Sequence, residues 1–229
     1  MIPLPDADTL TGLAAAWLLL GCAAAWAWRE KLDLQKRMLW ASLRGLVQLL
    51  LLAFVLHWIF DIQSHWAQAL LLTGFCIVAG RTSASHHSTP SQAWLAASIG
   101  LAAACIVCLP WLAVSGAIDA DTRSIIPLGS MLVANGMNTV SLMFNRMDGD
   151  NALAGLRQAM IPPVDTLRVA GLVHMPGIFV GMVLAGAAPL TAASAQLVVL
   201  YMIIASSFTA CMVSFLMLNH LNKARPACA

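Results

Sequence analysis

Asn135 and Asn138 stand three residues apart in the middle of an apolar run. Each side-chain amide brings donors and acceptors that hydrocarbon cannot satisfy. Ser141 or Thr139, and then Asn145, continue the same three- to four-residue step. On a helix that step makes one polar stripe along an otherwise apolar surface. Such a stripe either bonds neighbouring helices or lines a wet path for polar cargo.

Three other polar groups lie where they are costly. Arg44 and Gln48, four residues apart, share a helical face at the start of a second apolar run. The arginine is placed to snorkel to the headgroups, or to face a pathway or a partner. His174 precedes Pro176-Gly177, with Gly181 one turn on. Proline removes a backbone hydrogen bond and glycine permits bending, so this run reads as a broken span. Asp148–Arg168 carries Arg157, Pro162-Pro163, Asp165 and Arg168. Asp150 is placed to cap a short amphipathic helix from Asn151 to about Met160, which the two prolines would end. Lying along the membrane face, that helix would meet a soluble partner.

Several other patterns point away from chemistry. Cys105 and Cys108 have metal-site spacing, but they lie inside an apolar run with no His or Cys partner in sequence. The twelve methionines read as packing, and His86-His87 as a solvated pair. The sequence holds no Gly-x-x-x-x-Gly-Lys-Ser/Thr, no His-Glu-x-x-His and no Gly-x-Ser-x-Gly. A nucleotide-hydrolysing or hydrolase role for this chain is not supported by any of them. The cysteines lie mostly within apolar runs, which is not a disulfide framework.

The elements that must position these residues are membrane helices. Hydrophobic residues make up 60% of the 229 and charged residues 10%, against about 25% charged in a soluble domain. A span needs roughly 20 apolar residues. Spans are expected at Leu10–Trp28, Leu39–Phe60, Trp66–Gly80, Gln92–Ser115, Ile125–Phe144, Val169–Ala187 and Ala195–Leu218. The acidic Asp6 and Asp8 precede the first run and basic residues follow it, the reverse of a secretory signal. Arg29, Lys31, Lys36, Arg37, Arg81, Arg146, Arg157, Arg168, Lys223 and Arg225 fall in one set of loops, and only Arg123 in the other. That bias places the first set in the cytoplasm, the N-terminus outside and the C-terminus inside. The acidic Asp6, Asp8, Asp61, Asp119 and Asp121 fall outside on this reading. The expected fold is all-α, one polytopic membrane domain over residues 1–229 with about seven transmembrane helices.

Two blocks of the sequence resemble the FetB-type permeases, membrane subunits of metal-exporting ABC transporters, whose relatives include plant aluminium-tolerance permeases. One block runs from Pro127-Leu-Gly-Ser through Asn135-Gly-Met-Asn138 to Asn145-Arg146. The other runs from Arg157-Gln-Ala-Met-Ile-Pro162-Pro-Val-Asp165 through Arg168 and His174-Met-Pro176-Gly177 to Pro189-Leu190. A looser match covers Arg44-Gly-Leu-Val-Gln48-Leu through Ile59-Phe60. The resemblance implies a permease of the bacterial inner membrane, paired with a separate ABC-type ATP-binding subunit. That partner would hold the ATP, and this chain would bind no cofactor. The implied cargo is a metal ion, iron in the bacterial namesake.

Two departures stand out. Between Arg146 and Arg157 such permeases carry an additional stretch, rich in Glu, Ala, Leu and Gly, that resembles a coupling helix. Only Met147–Leu156 occupies its place here. A small serine is usual where this chain has His174, a residue able to titrate near neutral pH or to ligate a metal.

The sequence thus leads to a permease working as a homo-oligomer, with two copies or more completing the pathway in the bilayer and no nucleic acid involved. Asn135, Asn138, Ser141, His174, Pro176 and Gly177 are the pathway candidates. Arg44, Gln48, Asn145, Arg146, Arg157, Asp165 and Arg168 are the candidates for coupling or gating, with Asp165 and Arg168 at the cytoplasmic mouth. The rival readings are an uncoupled channel or carrier, and a non-transporting structural relative.

Overall fold

The structure, a computed structural model, describes residues 7–60, 64–118, 121–147 and 152–223. Asp6, Asp61, Asp119, Asp148, Asp150, Arg225 and Cys228 lie outside the described residues, and so does the expected Asp150 cap. The chain divides into two compact units, Met1–Asp61 and Ile62–Ala229.

In the first unit α1 (Ala7–Arg29) and α2 (Gln35–Phe60) pack against each other across a short link. Lys31 and Asp33 turn the chain with positive φ, and the Leu32 N–H closes on the Ala27 carbonyl at 3.0 Å. Arg44 and Gln48 are exposed on α2.

The second unit holds α3 (His65–Ala84), α4 (Pro90–Val114), α5 (Thr122–Arg146), α6 (Ala152–Ala159), α7 (Ile161–Val169), α8 (Gly177–Leu184) and α9 (Pro189–Lys223). Two bonds fix the direction of α3 against α5. Gln68 donates to Thr122 at 2.6 Å near the start of both helices, and Ser83 donates to the Met137 carbonyl at 3.1 Å towards their ends. The two helices therefore run parallel. Helix α4 runs against them. A Cβ on Gly136 would meet Leu101, and one on Gly129 would meet Leu109. Helix α9 opposes α4 in turn, because Gly100 meets Ala210 and Ser214 while Cys108 shares a hollow with Met202 and Ala205. So α3, α5 and α9 point one way, and their basic last turns, with Arg81, Arg146 and Lys223, gather at one end of this unit.

Small residues make the close approach possible. Gly100 of α4 meets Ala210 and Ser214 of α9, and the buried residues of these packed helices include Ala93, Ala96, Ala97 and Ala104 on α4 and Ser207 and Cys211 on α9. In lipid, where apolar burial drives no helix association, such contact is the main source of cohesion.

Six helices among the described residues have the length and hydropathy of a span. They match six of the seven expected segments. The remaining segment, Val169–Ala187, is not one helix. It is interrupted where Pro176-Gly177 forecast a break, and α8, with eight residues, is about 12 Å long against about 30 Å of hydrocarbon.

The prolines at 162 and 163 do something the sequence reading missed. The short helix ends at Ala159, close to expectation, but Pro162 and Pro163 open a further helix instead of leading into a loop. In a first turn proline has no hydrogen bond to forfeit, and its fixed φ is already helical.

Candidate functional site

Asn135 and Asn138 line a cavity of about 290 Å³ between α5, α7 and α9. Thr139 and Leu142 share the α5 wall, Pro162, Pro163 and Thr166 form the α7 wall, and Leu200, Ile203 and Ser207 form the α9 wall. Helix α5 places both asparagines near its midpoint, far from either end.

The hydrogen-bond pattern gives this cavity its chemical character. Asn135 donates its amide N–H to the Met131 carbonyl at 2.9 Å, which leaves Oδ1 unused. Thr139 donates its hydroxyl to the Asn135 carbonyl at 2.8 Å, and Thr166 donates to the Pro162 carbonyl at 2.9 Å. Thr139 and Thr166 therefore have their one donor hydrogen tied to backbone and offer oxygen lone pairs, while Asn135 keeps Oδ1 and a second N–H. Ser207 is fully buried, and its Oγ has no partner among the described residues. A buried unpaired hydroxyl costs about 1–3 kcal/mol, so it marks a position that a ligand or water would satisfy. No carboxylate or basic side chain lines the wall. The arrangement is uncharged and polar, with five oxygen-bearing side chains and the remaining amide N–H groups of Asn135 and Asn138.

The other expected site residues fall elsewhere. Ser141 points away from the cavity and donates to Ser83 of α3 at 3.1 Å. Asn145 and Arg146 are exposed at the end of α5. Helix α6 lies across that end, where a Cβ on Gly155 would come within 3.1 Å of the Met143 carbonyl oxygen. Its Arg157 is exposed. Asp165 and Arg168 were expected in a loop at the mouth. They lie instead on α7, which reaches the cavity through Thr166, and they pair with each other at 3.4 Å on its exposed side.

His174 belongs to the tight connection between α7 and α8. Its carbonyl accepts the Gly171 N–H at 2.9 Å, and Gly171 takes φ +81 to make that turn. The His174 side chain is exposed and does not line the cavity. Pro176 is buried as the residue before α8, and Gly177 begins that helix. Among the described residues no cluster of three His, Cys, Asp or Glu is placed to hold a metal ion. Ser207, Leu200 and Ile203 were missed from the sequence, because α9 is apolar throughout and its serines carry no visible stripe.

Comparison with known proteins places this architecture. The sequence profile of an uncharacterised protein family, UPF0014, matches residues 10–152 and 150–221. The chain belongs to UPF0014. The two matched segments of this UPF0014 chain overlap at residues 150–152, between the end of α5 and the start of α6. The chain is similar to the "Probable iron export permease protein FetB" of Escherichia coli (strain K12), at 26% identity over 87% of this chain and 86% of the relative. It is also similar to the UPF0014 membrane protein STAR2 of Oryza sativa subsp. japonica, at 28% identity over 84% of this chain and 76% of the relative. A third relative, Protein ALUMINUM SENSITIVE 3 of Arabidopsis thaliana, is 24% identical over 85% of this chain and 80% of its own length. No solved structure matches this chain. This UPF0014 chain is a permease-like membrane protein.

Proposed function

We propose that the chain is the membrane-spanning subunit of an ABC-type exporter of a metal cation, iron-like in chemistry, with ATP hydrolysed on a separate ATP-binding subunit. The observation that carries the reading is the uncharged cavity around Asn135 and Asn138, whose wall holds five oxygen-bearing side chains. Oxygen lone pairs replace part of a hard cation's hydration, and the lack of fixed charge keeps the ion from being trapped. The name of the FetB relative supports iron export as the direction and cargo.

In this reading the basic ends of α3, α5 and α9 face the cytoplasm, in keeping with the positive-inside rule. The N-terminus is outside, the C-terminus is inside, and the membrane is the bacterial inner membrane. Two copies complete the pathway. The α7–α8 pair, broken between Val169 and Gly177, acts as the gate, with Pro176 and Gly177 as its pivot. Arg146, Arg157, Asp165 and Arg168, together with Arg44 and Gln48 of the first unit, are the groups offered to the ATPase or the gate. ATP binding on the partner shifts the population between inward- and outward-open states.

A second reading, an uncoupled channel or carrier, draws on one observation. The family match breaks at residues 150–152, where a coupling helix would lie.

The test is a gentle-detergent purification of the tagged chain from its native membranes, followed by metal flux in proteoliposomes. Co-purification of an active ATP-binding-cassette subunit, and loss of flux when Asn135→Leu and Asn138→Leu are combined, is the expected result. Flux that persists without any ATPase supports the uncoupled reading. Flux unaffected by the double substitution overturns the cavity as the pathway.

A further inference from the structure

Cys76 on α3 and Cys105 on α4 come together across the seam between these helices. Both are nearly fully buried, at 2% and 7% exposure, and the two thiols interact with each other. Both line a cavity of about 220 Å³ that also touches Leu72, Thr73, Ile106 and Pro110. This cavity shares no residue with the one around Asn135 and Asn138.

The donor set decides what such a cavity can hold. Thr73 is its one oxygen-bearing side chain, and its hydroxyl hydrogen is committed to the Ala69 carbonyl at 2.7 Å. No carboxylate or imidazole touches the wall. A hard divalent cation finds neither oxygen ligands nor counter-charge here. Sulfur donors select soft ions, and two thiolates from opposite sides suffice for a two-coordinate monovalent ion. The seam itself is rigid. One turn beyond Cys76, a Cβ on Gly80 would lie 2.9 Å from the Ser98 backbone nitrogen, so α3 and α4 are already at their closest approach. Cys108, one turn along α4, lines a different hollow and is not part of the pair.

We propose that Cys76 and Cys105 form an intramembrane dithiol site for a soft monovalent metal ion of the Cu⁺ or Ag⁺ class. Binding makes two sulfur–metal bonds. Each thiol gives up its proton to water, and the ion keeps its oxidation state. The site stands whether or not the larger cavity carries iron.

The experiment uses the full chain in lipid nanodiscs, with Cys22, Cys108, Cys211 and Cys228 replaced by alanine. After reduction and removal of the reductant, the protein is titrated anaerobically with Ag⁺ against a chromophoric competitor. One ion per chain is expected, bound about 100-fold more tightly than by chains in which Cys76→Ala or Cys105→Ala leaves a single thiol. Equal affinity in the paired and single-thiol chains, or two ions per chain, overturns the site. An X-ray absorption spectrum of the silver-loaded parent chain provides a readout that no variant's folding can obscure. Two sulfur neighbours support the site, and one sulfur accompanied by oxygen or nitrogen overturns it.

Discussion

Ser141 on α5 donates its hydroxyl to Ser83 on α3 at 3.1 Å, and Ser83 passes its own hydrogen to the Met137 carbonyl at the same distance. The polar stripe of α5 therefore divides. Its Asn135–Asn138–Thr139 part faces a cavity, and its Ser141 edge ties two parallel helices together.

Ser141→Ala removes one interhelical hydrogen bond and leaves the Ser83 bond to Met137 in place. The expected cost is about 1 kcal/mol of stability, read as a lower melting temperature in nanodiscs, with metal flux unchanged. A loss of flux at full stability would return Ser141 to the pathway.

Ser207 makes the opposite case. Its hydroxyl is buried without a partner, so Ser207→Ala relieves an unsatisfied group. The folded chain is expected to hold its stability or gain about 1 kcal/mol, while cation flux falls. Thermal melts and flux on the same preparation check whether the two move apart, as they do where a site is kept at a cost to stability.

Much of this arrangement was legible in the sequence. Hydropathy located the six long helices, and the three-residue spacing of Asn135 and Asn138 put them on one face. Pro176-Gly177 marked the broken segment. What escaped were contacts between segments distant in sequence. Cys105 looked towards Cys108 in the sequence, but it shares a hollow with Cys76 on the neighbouring helix, while Cys108 lines another. Ser207 carries no signal, because a serine in an apolar helix reads the same whether it faces a cavity or a neighbour, and Ser206 beside it looks no different. Pro162 and Pro163 looked like a stop because proline ends helices more visibly than it begins them.

Gly100 sets the distance between α4 and α9. A Cβ there would fall on Ser214 Oγ and lie 2.6 Å from the Ala210 carbonyl oxygen, which is backbone and cannot swing away. Gly100→Ala is expected to cost about 1–3 kcal/mol through forced separation of the helices. Gly45→Ala, where a Cβ meets nothing within 4 Å, leaves the melting temperature unchanged or slightly raised. Equal melts for the two variants would contradict the packing.

His87 gives the fold a dependence on pH. Its Nδ1 accepts the Thr89 N–H at 3.1 Å at the start of α4, and its ring meets Phe144 edge-on with centroids 5.4 Å apart. Partial burial holds its pKa below the ordinary imidazole value. The unfolded chain takes up this proton below about pH 6.5, before the folded chain does. The stabilising contribution is therefore complete above that pH and is lost as pH falls towards the folded value. Melting curves between pH 7.5 and 5.5 are expected to decline, and less steeply in His87→Gln. An identical slope in that variant would assign the effect to other groups.

Helix α9 runs for 35 residues with no glycine and with proline only at its first position. At about 1.5 Å per residue it is roughly 52 Å of unhinged rod in a layer about 30 Å thick. It touches α4, α5, α6, α7 and α8. A rod with so many neighbours and no joint cannot be the part that bends. In the exporter proposed above it would be the fixed part, leaving the short jointed pieces α7 and α8 as the parts to move along it.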